Sequence, residues 1–516
     1  MSIDAPQLFL PDVWSEHARW RPQKVALIAG ERRLSWAELN ARMNRVASSL
    51  ARAGLVRGDK VAVLMTNGIE MVEIMLGAVK GGFVVVPLSG LLNRESIAMM
   101  LADSGARTLF YSPEYLPLVS DLFDEIATGA WICVDAQRSD THAYEQLLKS
   151  ASDEDPVVAR DNEDEFVIIY SSGTTGTPKG IVHTHRTRLH LSYAIAIELG
   201  MTEDAVALAT TPLYANATWL VMLPALFVGA TLVIMQKFVP AAFLHTVERE
   251  RITHTFMVPP QFAAILGAPE LERSDLGSLK VMLSGGAPFP IEVKRATLQR
   301  IGPGLHELYG CTEGVGTMIK PDMVLAKPMS VGLPILGQNL AIIDDESREL
   351  PREEIGEIVG YGPGIMKGYH NRTDATQAAL WRDELGRSWL RTGDLGRLDA
   401  QGFLTVVDRK KDMVVSGGMN VYPADVEQVI ARHPDVAEVT VIGVPHERWG
   451  EAPLALVVVR AGAPVSEAAL TAWANERLAK HQRVVATEFR QSFPRNALGK
   501  VLKRDLRKPY WPVEVS

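Results

Sequence analysis

The sequence predicts an α/β protein: a large N-terminal domain of layered α/β subdomains plus a β-rich subdomain, then a small α+β C-terminal domain. Three observations predict it. From residue 9 to about 332 short apolar runs alternate with stretches of helical periodicity, the pattern of a layered α/β domain. After about 332 the texture changes to short strands and turns. A charged cluster at 408–412, DRKKD, is followed by a fresh strand and helix pattern. At 516 residues the chain exceeds what one hydrophobic core organises. The predicted boundaries are 1–408, a connecting segment at 409–412, and 413–516, the last a compact unit of roughly a hundred residues.

In the first part, helical periodicity spans 37–53, 69–79 and 94–102, with β-runs at 61–65 and 83–87. A strand at 166–170 leads into the stretch that organises the chain, which reads as a mobile loop followed by a helix from about Thr184. Further strands are expected at 205–210, 255–258 and 279–283, and helices at 241–250 and 261–266. Residues 219–235 carry no charged side chain, but Pro224, Gly229 and Thr231 divide them into a buried helix and a strand, short of a spanning helix. Strands at 340–343, 356–359 and 403–407 define the β-rich segment. The last domain reads helix 424–432, strands 436–444 and 453–459, helix 466–479.

Composition excludes several function classes. An apolar share of 47% and a charged share of 22% describe an ordinary globular protein. A net charge of −8 supplies no basic field for nucleic acid and no polybasic membrane patch. Cys133 and Cys311, the 2 cysteines present, are too few for a disulfide framework or a thiolate zinc site. The N-terminus lacks a basic region followed by an apolar core, so no export signal is expected and the expected compartment is the cytoplasm.

Residues 170–180, YSSGTTGTPKG, are the organising stretch. Glycines let backbone N–H groups approach an anion, hydroxyls add donors and Lys179 adds a compact positive charge, which suits a polyphosphate. A surface turn has similar composition but needs two to five such residues. The loop is not a Walker A motif. Counting from Gly173, Pro178 falls where the second glycine belongs and Gly180 where the magnesium-binding hydroxyl belongs.

In open α/β sheets ligands bind outside the carboxyl ends of the strands. The turns TTPLYANAT, SGGAP and LYGCTEG should therefore converge on one crevice. Glu313 within GCTEG can hold Mg²⁺ while phosphate oxygens complete its octahedron; read alone it is equally a loop glutamate. Asp394 of TGD, expected on a tight turn, can accept both hydroxyls of a ribose. Lys500 ends the loop PRNALGK, where Gly499 lets the ammonium reach inward and stabilise charge developing on a carboxylate and an α-phosphate. A solvated basic tail is the bland alternative.

Five motifs in order, SSGTTGTPKG, YGCTEG, TGD, DRKKDMVVSGGMNVYP and PRNALGK, resemble those of acyl-CoA synthetases of the adenylate-forming superfamily, over residues 10–510. The resemblance implies that Ser171, Ser172, Gly173, Thr174, Thr175 and Lys179 embrace the phosphates of ATP, with Glu313 on magnesium. It places Gly286, Ala287, Pro288 and Tyr309 at the adenine, Glu307, Leu308 and Gly310 also among the cofactor-binding residues, Thr312 at the α-phosphate, and Asp394 and Arg409 at the ribose. Lys411 matches the hinge about which a mobile C-terminal domain rotates. Lys500, Thr175 and Glu313 would serve adenylation. Lys237 would meet coenzyme A phosphate, and Ser416, Gly417 and Gly418 would line the pantetheine tunnel, where a β-carbon would obstruct.

The acid pocket implied by the resemblance comprises Tyr214, Ala215, Ala217, Val221, Gly285 and Gly314. Ala215 stands where many relatives have histidine, and Ala217 where aryl-specific relatives have a larger side chain, so a roomier pocket is expected. Met329 and Cys311 also depart from the pattern, and neither departure threatens the nucleotide site. The expected function is a carboxylic acid–CoA ligase acting on a fatty or aromatic, phenylpropanoid-type acid, with ATP, Mg²⁺ and coenzyme A. Two rivals are an acyl-AMP ligase or amino-acid adenylating enzyme that loads a carrier protein, and a non-catalytic nucleotide-binding protein. Expected partners are the small-molecule acid, a second subunit in a homodimer, the common symmetric outcome, and a lysine acetyltransferase and deacetylase acting on Lys500. Neither nucleic acid nor an integral membrane segment is expected.

Overall fold

The structure, a computed structural model, describes residues 6–122, 130–134, 142–171, 178–495 and 499–511. It divides into two compact units: unit 1 is Met1–Pro328, Pro334–Asn339 and Tyr361–Leu390, and unit 2 is Met329–Leu333, Leu340–Gly360 and Arg391–Ser516.

Unit 1 holds two large sheets. In one, parallel strands run in the order Leu305–Gly310, Val281–Gly285, His254–Met257, Val206–Ala209, Thr231–Ile234 and Val25–Ala29. Helices cover them: Phe243, Leu244 and Val247 of one helix and Phe262 and Ile265 of the next pack with Met257 and Met282 into one core. Because these strands are parallel neighbours, the turns after residues 209, 285 and 310 leave the same edge, as the sequence predicts.

The other sheet has eight strands, in the order Gly368–Tyr369, Lys179–Thr184, Glu165–Ser171, Val84–Pro87, Lys60–Leu64, Ala106–Tyr111, Ala130–Cys133 and His142–Ala143. Its predicted helices form, Trp36–Arg52 started by a capping box between Ser35 and Glu38, and Ile69–Lys80 buried along its whole length.

Two expectations are corrected. The chain does not pass from the organising loop straight into a helix: Lys179–Thr184 is a strand, antiparallel to Glu165–Ser171 with Ser171 opposite Lys179, and only then does Thr184 cap the helix His185–Glu198. The run KGIVHT is short, apolar and partly β-branched, so it completes a hairpin. Asp394 is not on a turn but inside the strand Ser388–Leu398, opposite Arg409. Residues 219–235 divide nearly as expected, into the helix Trp219–Val228 and the strand Thr231–Ile234, but the helix contains Pro224 and stops at Gly229, whose φ is 76°.

In unit 2, Gly356–Tyr361 lies between Asn339–Ile343 and Ser388–Leu398, and Leu404–Arg409 pairs with the last of these. A second sheet orders Met419–Val421, Val414–Ser416, Gly450–Val459 and Val436–His446, with Thr487–Phe489 beside Gly450–Val459. The helices Pro423–Ile430 and Glu467–Arg477 bury Val426, Ile430, Leu470 and Ala474 against it. Among the described residues no helix is long and apolar enough to cross a membrane.

Candidate functional site

The hairpin of Glu165–Ser171 and Lys179–Thr184 presents the organising loop, of which Ser172, Gly173, Thr174 and Thr175 lie outside the described residues. Gly368–Tyr369 adds a third antiparallel strand, with Tyr369 opposite Ile181. That pairing puts the Tyr369 ring beneath Lys179, whose Nζ is 5.0 Å from the ring centroid. The Tyr369 hydroxyl donates to Glu313 Oε1 at 2.9 Å, and the Met366 N–H donates to the Glu313 carbonyl at 2.8 Å. Burial, then the adjacent Glu313 carboxylate, push the Tyr369 phenol up, so it stays a donor. Lys179 and Glu313, singled out separately in the sequence, are thus brought to one side chain. Nothing in the sequence pattern points to Tyr369.

His183, also unmarked in the sequence, holds the Thr312 carbonyl through Nε2 at 2.8 Å. Burial first and the Arg188 charge second hold its pKa well below the ordinary value, so the ring is neutral and Nε2–H is the donor. Gln338 grips the next residues, donating from Nε2 to Gly314 O at 2.6 Å and accepting from Gly316 N at 2.8 Å. Gly314 has φ 113°, and a β-carbon there would come within 2.1 Å of Gly364 O. Only glycine fits.

Gly285 ends its strand and leads into Gly286, Ala287 and Pro288; Glu307, Leu308, Tyr309 and Gly310 end the neighbouring strand. The Glu307 carboxylate is buried and pairs with the equally buried Lys294 at 2.5 Å. Burial raises the Glu307 pKa and the Lys294 charge opposes that rise.

The turn after Val206–Ala209 is tied internally and from outside. Thr218 Oγ1 donates to Pro212 O at 2.6 Å, and Trp219 Nε1 donates to Leu213 O at 2.8 Å. Asn67 accepts from Leu213 N at 2.8 Å and donates to Thr211 O and Met235 O at 2.9 and 3.0 Å. Ala215 and Val221 are buried, whereas Tyr214 and Ala217 are partly exposed. Lys237 is exposed, after the strand Thr231–Ile234 beside Val206–Ala209.

In unit 2, Arg409 Nε lies 3.3 Å from Asp394 Oδ1 across the strand pair. Lys500 belongs to the same group. Burial, with the charges of Arg409 and Lys411, pushes its pKa down to about 8, while Asp394 and Asp412 oppose the shift. Gly499 before it has φ 78°, a backbone conformation that favours glycine. The Lys411 side chain is exposed, and Arg507 donates to the carbonyls of Lys411 and Asp412, each at 2.9 Å.

Ser416 pairs with Met419, leaving Gly417 and Gly418 as a two-residue hairpin turn with φ 60° and 79°. Positive φ at both central residues is what such a turn requires. The turn therefore accounts for both glycines independently of any tunnel. Among the described residues no three or more His, Cys, Asp or Glu side chains form a metal cluster.

The AMP-binding enzyme family matches residues 14–370, and the AMP-binding enzyme C-terminal domain matches residues 425–500. The chain belongs to the AMP-binding enzyme family. Its similarities lie with adenylate-forming acyl-CoA synthetases: a feruloyl-CoA synthase of Amycolatopsis sp is 36% identical over 496 residues, covering 96% of this chain and 97% of that protein. The long-chain-fatty-acid–CoA ligase FadD13 of Mycobacterium tuberculosis is 33% identical over 481 residues, covering 93% of each. Among solved structures, ATP-bound MatB from Rhodopseudomonas palustris superposes with a TM-score of 0.89 at 29% identity, covering 98% of this chain and 99% of that one.

Proposed function

We propose that this protein is an AMP-forming carboxylic acid–CoA ligase. The observation that carries the reading is the joining of Lys179 and Glu313 through Tyr369. In unit 1, Ser171, Ser172, Gly173, Thr174, Thr175 and Lys179 hold the phosphates of ATP, and Thr312 meets the α-phosphate. Glu313 suits Mg²⁺, which binds through one or two carboxylates together with substrate phosphates and needs no all-protein cage. When bound, the metal neutralises charge on the phosphate oxygens. In unit 2, Asp394 and Arg409 hold the ribose, and Lys500 stabilises charge developing as adenylation proceeds.

The acid's carboxylate oxygen attacks the α-phosphorus, and the bond to pyrophosphate breaks. A thiolate of coenzyme A then attacks the acyl carbonyl, and AMP leaves with the electron pair. No protein nucleophile is needed: the residues position the reactants and stabilise charge. The segment 409–412 is the hinge between 1–408 and 413–516, with Lys411 at its centre. Lys237 and the turn at Ser416, Gly417 and Gly418 serve coenzyme A in the second half-reaction.

The small side chains of Ala215 and Ala217 favour acids bulkier than benzoate, in fatty or phenylpropanoid classes. Two cysteines that form no disulfide fit a reducing cytoplasm. A homodimer and reversible acetylation of Lys500 complete the reading. Pyrophosphate release that requires both ATP and an acid, with a thioester formed on adding coenzyme A, is the expected result. Acid-dependent pyrophosphate release without a thioester would favour a carrier-loading adenylating enzyme; absence of release with every acid would favour a non-catalytic nucleotide binder.

A further inference from the structure

Arg188 lies in the first turn of the helix His185–Glu198 and is completely buried. Its guanidinium carbon sits 5.0 Å from the centre of the Trp219 ring. Among the described residues, none of Nε, Nη1 and Nη2 has a hydrogen-bond acceptor. Other arginines of unit 1 behave differently: Arg42 is held by Glu73 and Glu145, and Arg186 by Glu163 and Pro363 O. A buried charge without a partner is costly, and an apolar residue would pack this helix face more cheaply. Trp219 answers only the flat face of the guanidinium. The in-plane N–H donors need an acceptor.

Arg188 neighbours two side chains that brace turns assigned to the acid pocket. Trp219, on which it stacks, donates to Leu213 O in the turn that carries Tyr214, Ala215 and Ala217. His183, whose ionisation its charge depresses, holds the Thr312 carbonyl beside Gly314. Since His183 is neutral, the charge at this spot is positive and uncompensated. Burial lowers the Arg188 pKa only to about 9, so the cation persists at neutral pH.

We infer that Arg188 receives a second carboxylate, at the far end of the acid, through the in-plane edge of its guanidinium. The inference rests on the ligase reading and narrows its substrate class to dicarboxylic acids. Guanidinium and carboxylate are planar and matched, so two parallel N–H···O bonds form, and the apolar body of the acid runs past Ala215 and Ala217.

The test uses matched pairs, suberate against octanoate and 4-carboxycinnamate against cinnamate. Pyrophosphate release gives kcat/KM for the wild type, Arg188→Met and Arg188→Lys. Expected is a wild-type preference for the diacid of about 10²-fold or more, because a site built for a polar group rejects the analogue lacking it. Arg188→Met should erase that preference while retaining monoacid turnover, which also reports folding, and Arg188→Lys should restore part of it. Wild-type turnover of monoacids at least as fast as of diacids overturns the inference and leaves the ligase reading standing. Calorimetric titration with suberate in the absence of ATP separates the other failure. Arg188-dependent binding with no turnover of any acid supports the anion site and sinks the ligase reading, whereas neither binding nor diacid turnover sinks the anion site.

Discussion

Tyr369 donates its hydroxyl hydrogen bond to Glu313 at 2.9 Å, and the same ring carries Lys179 on its face. One side chain thus fixes both charged groups assigned to the triphosphate and its metal. Tyr369→Phe removes the donor and keeps the ring. A hydrogen bond to a charged group is worth about 1.5–3 kcal/mol, so the Mg²⁺ and ATP dependence of pyrophosphate release should weaken by roughly 10-fold or more. Tyr369→Leu, which also removes the face under Lys179, should weaken it further. Identical magnesium titrations for wild type and Tyr369→Phe would show that the pair is only structural.

The local part of the site was legible and the long-range part was not. Lys179 and Lys500 close glycine- and proline-bearing stretches whose composition already argues for an anion or an inward-reaching ammonium. Tyr369 is 56 residues from Glu313, and Asn67 is 144 residues from the Thr211 carbonyl it binds. Such partners meet only after strands pair, and no local periodicity records them. TGD has the composition of a turn, so local composition alone misplaces Asp394. Pairing with Arg409 overrides that preference, and Gly393 within the strand has φ 70°. The helices and strands of unit 1 are readable because burial follows the apolar pattern, the unbroken apolar run Val84–Pro87 being buried at every position.

Ala217 is partly exposed in the turn braced by Asn67 and Trp219, so a larger side chain there can be accommodated without displacing the turn. Ala217→Tyr should shorten the space for the acid and shift preference from octanoate toward benzoate, at about 1–3 kcal/mol per lost methylene contact. The check is the ratio of the two kcat/KM values. An unchanged ratio would place the acid elsewhere.

The carbonyls of Lys411 and Asp412 are both held by Arg507, and the Lys410 N–H donates to Gly393 O at 2.9 Å, so the proposed hinge has fixed anchors on either side. Lys411→Pro fixes φ near −65° and should restrict rotation without touching either reaction centre. Adenylation, measured by pyrophosphate exchange, should survive. Transfer of a supplied acyl-adenylate to coenzyme A should collapse. Equal losses in both half-reactions would move the hinge away from Lys411.

Lys500 has a pKa of about 8, lowered by burial first and then by Arg409 and Lys411. Its charge is therefore present below about pH 8 and lost as pH rises through that value. If the cation stabilises the adenylation transition state, kcat/KM for pyrophosphate release should be flat below that pH and decline above it, since this parameter reports the free protein. Lys500→Arg, which stays charged, should move the decline to higher pH even if its rate is lower. Lys500→Ala, or acetylation of Lys500, removes the charge outright and should slow adenylation on the order of 10²–10³-fold, as loss of one electrostatic donor does. The loss should be confined to that half-reaction: with acyl-adenylate supplied, thioester formation should run near the wild-type rate. A pH profile identical in wild type and Lys500→Arg would assign the decline to another group, and an equal failure of Lys500→Ala in both half-reactions would make Lys500 a residue of folding and not of adenylation.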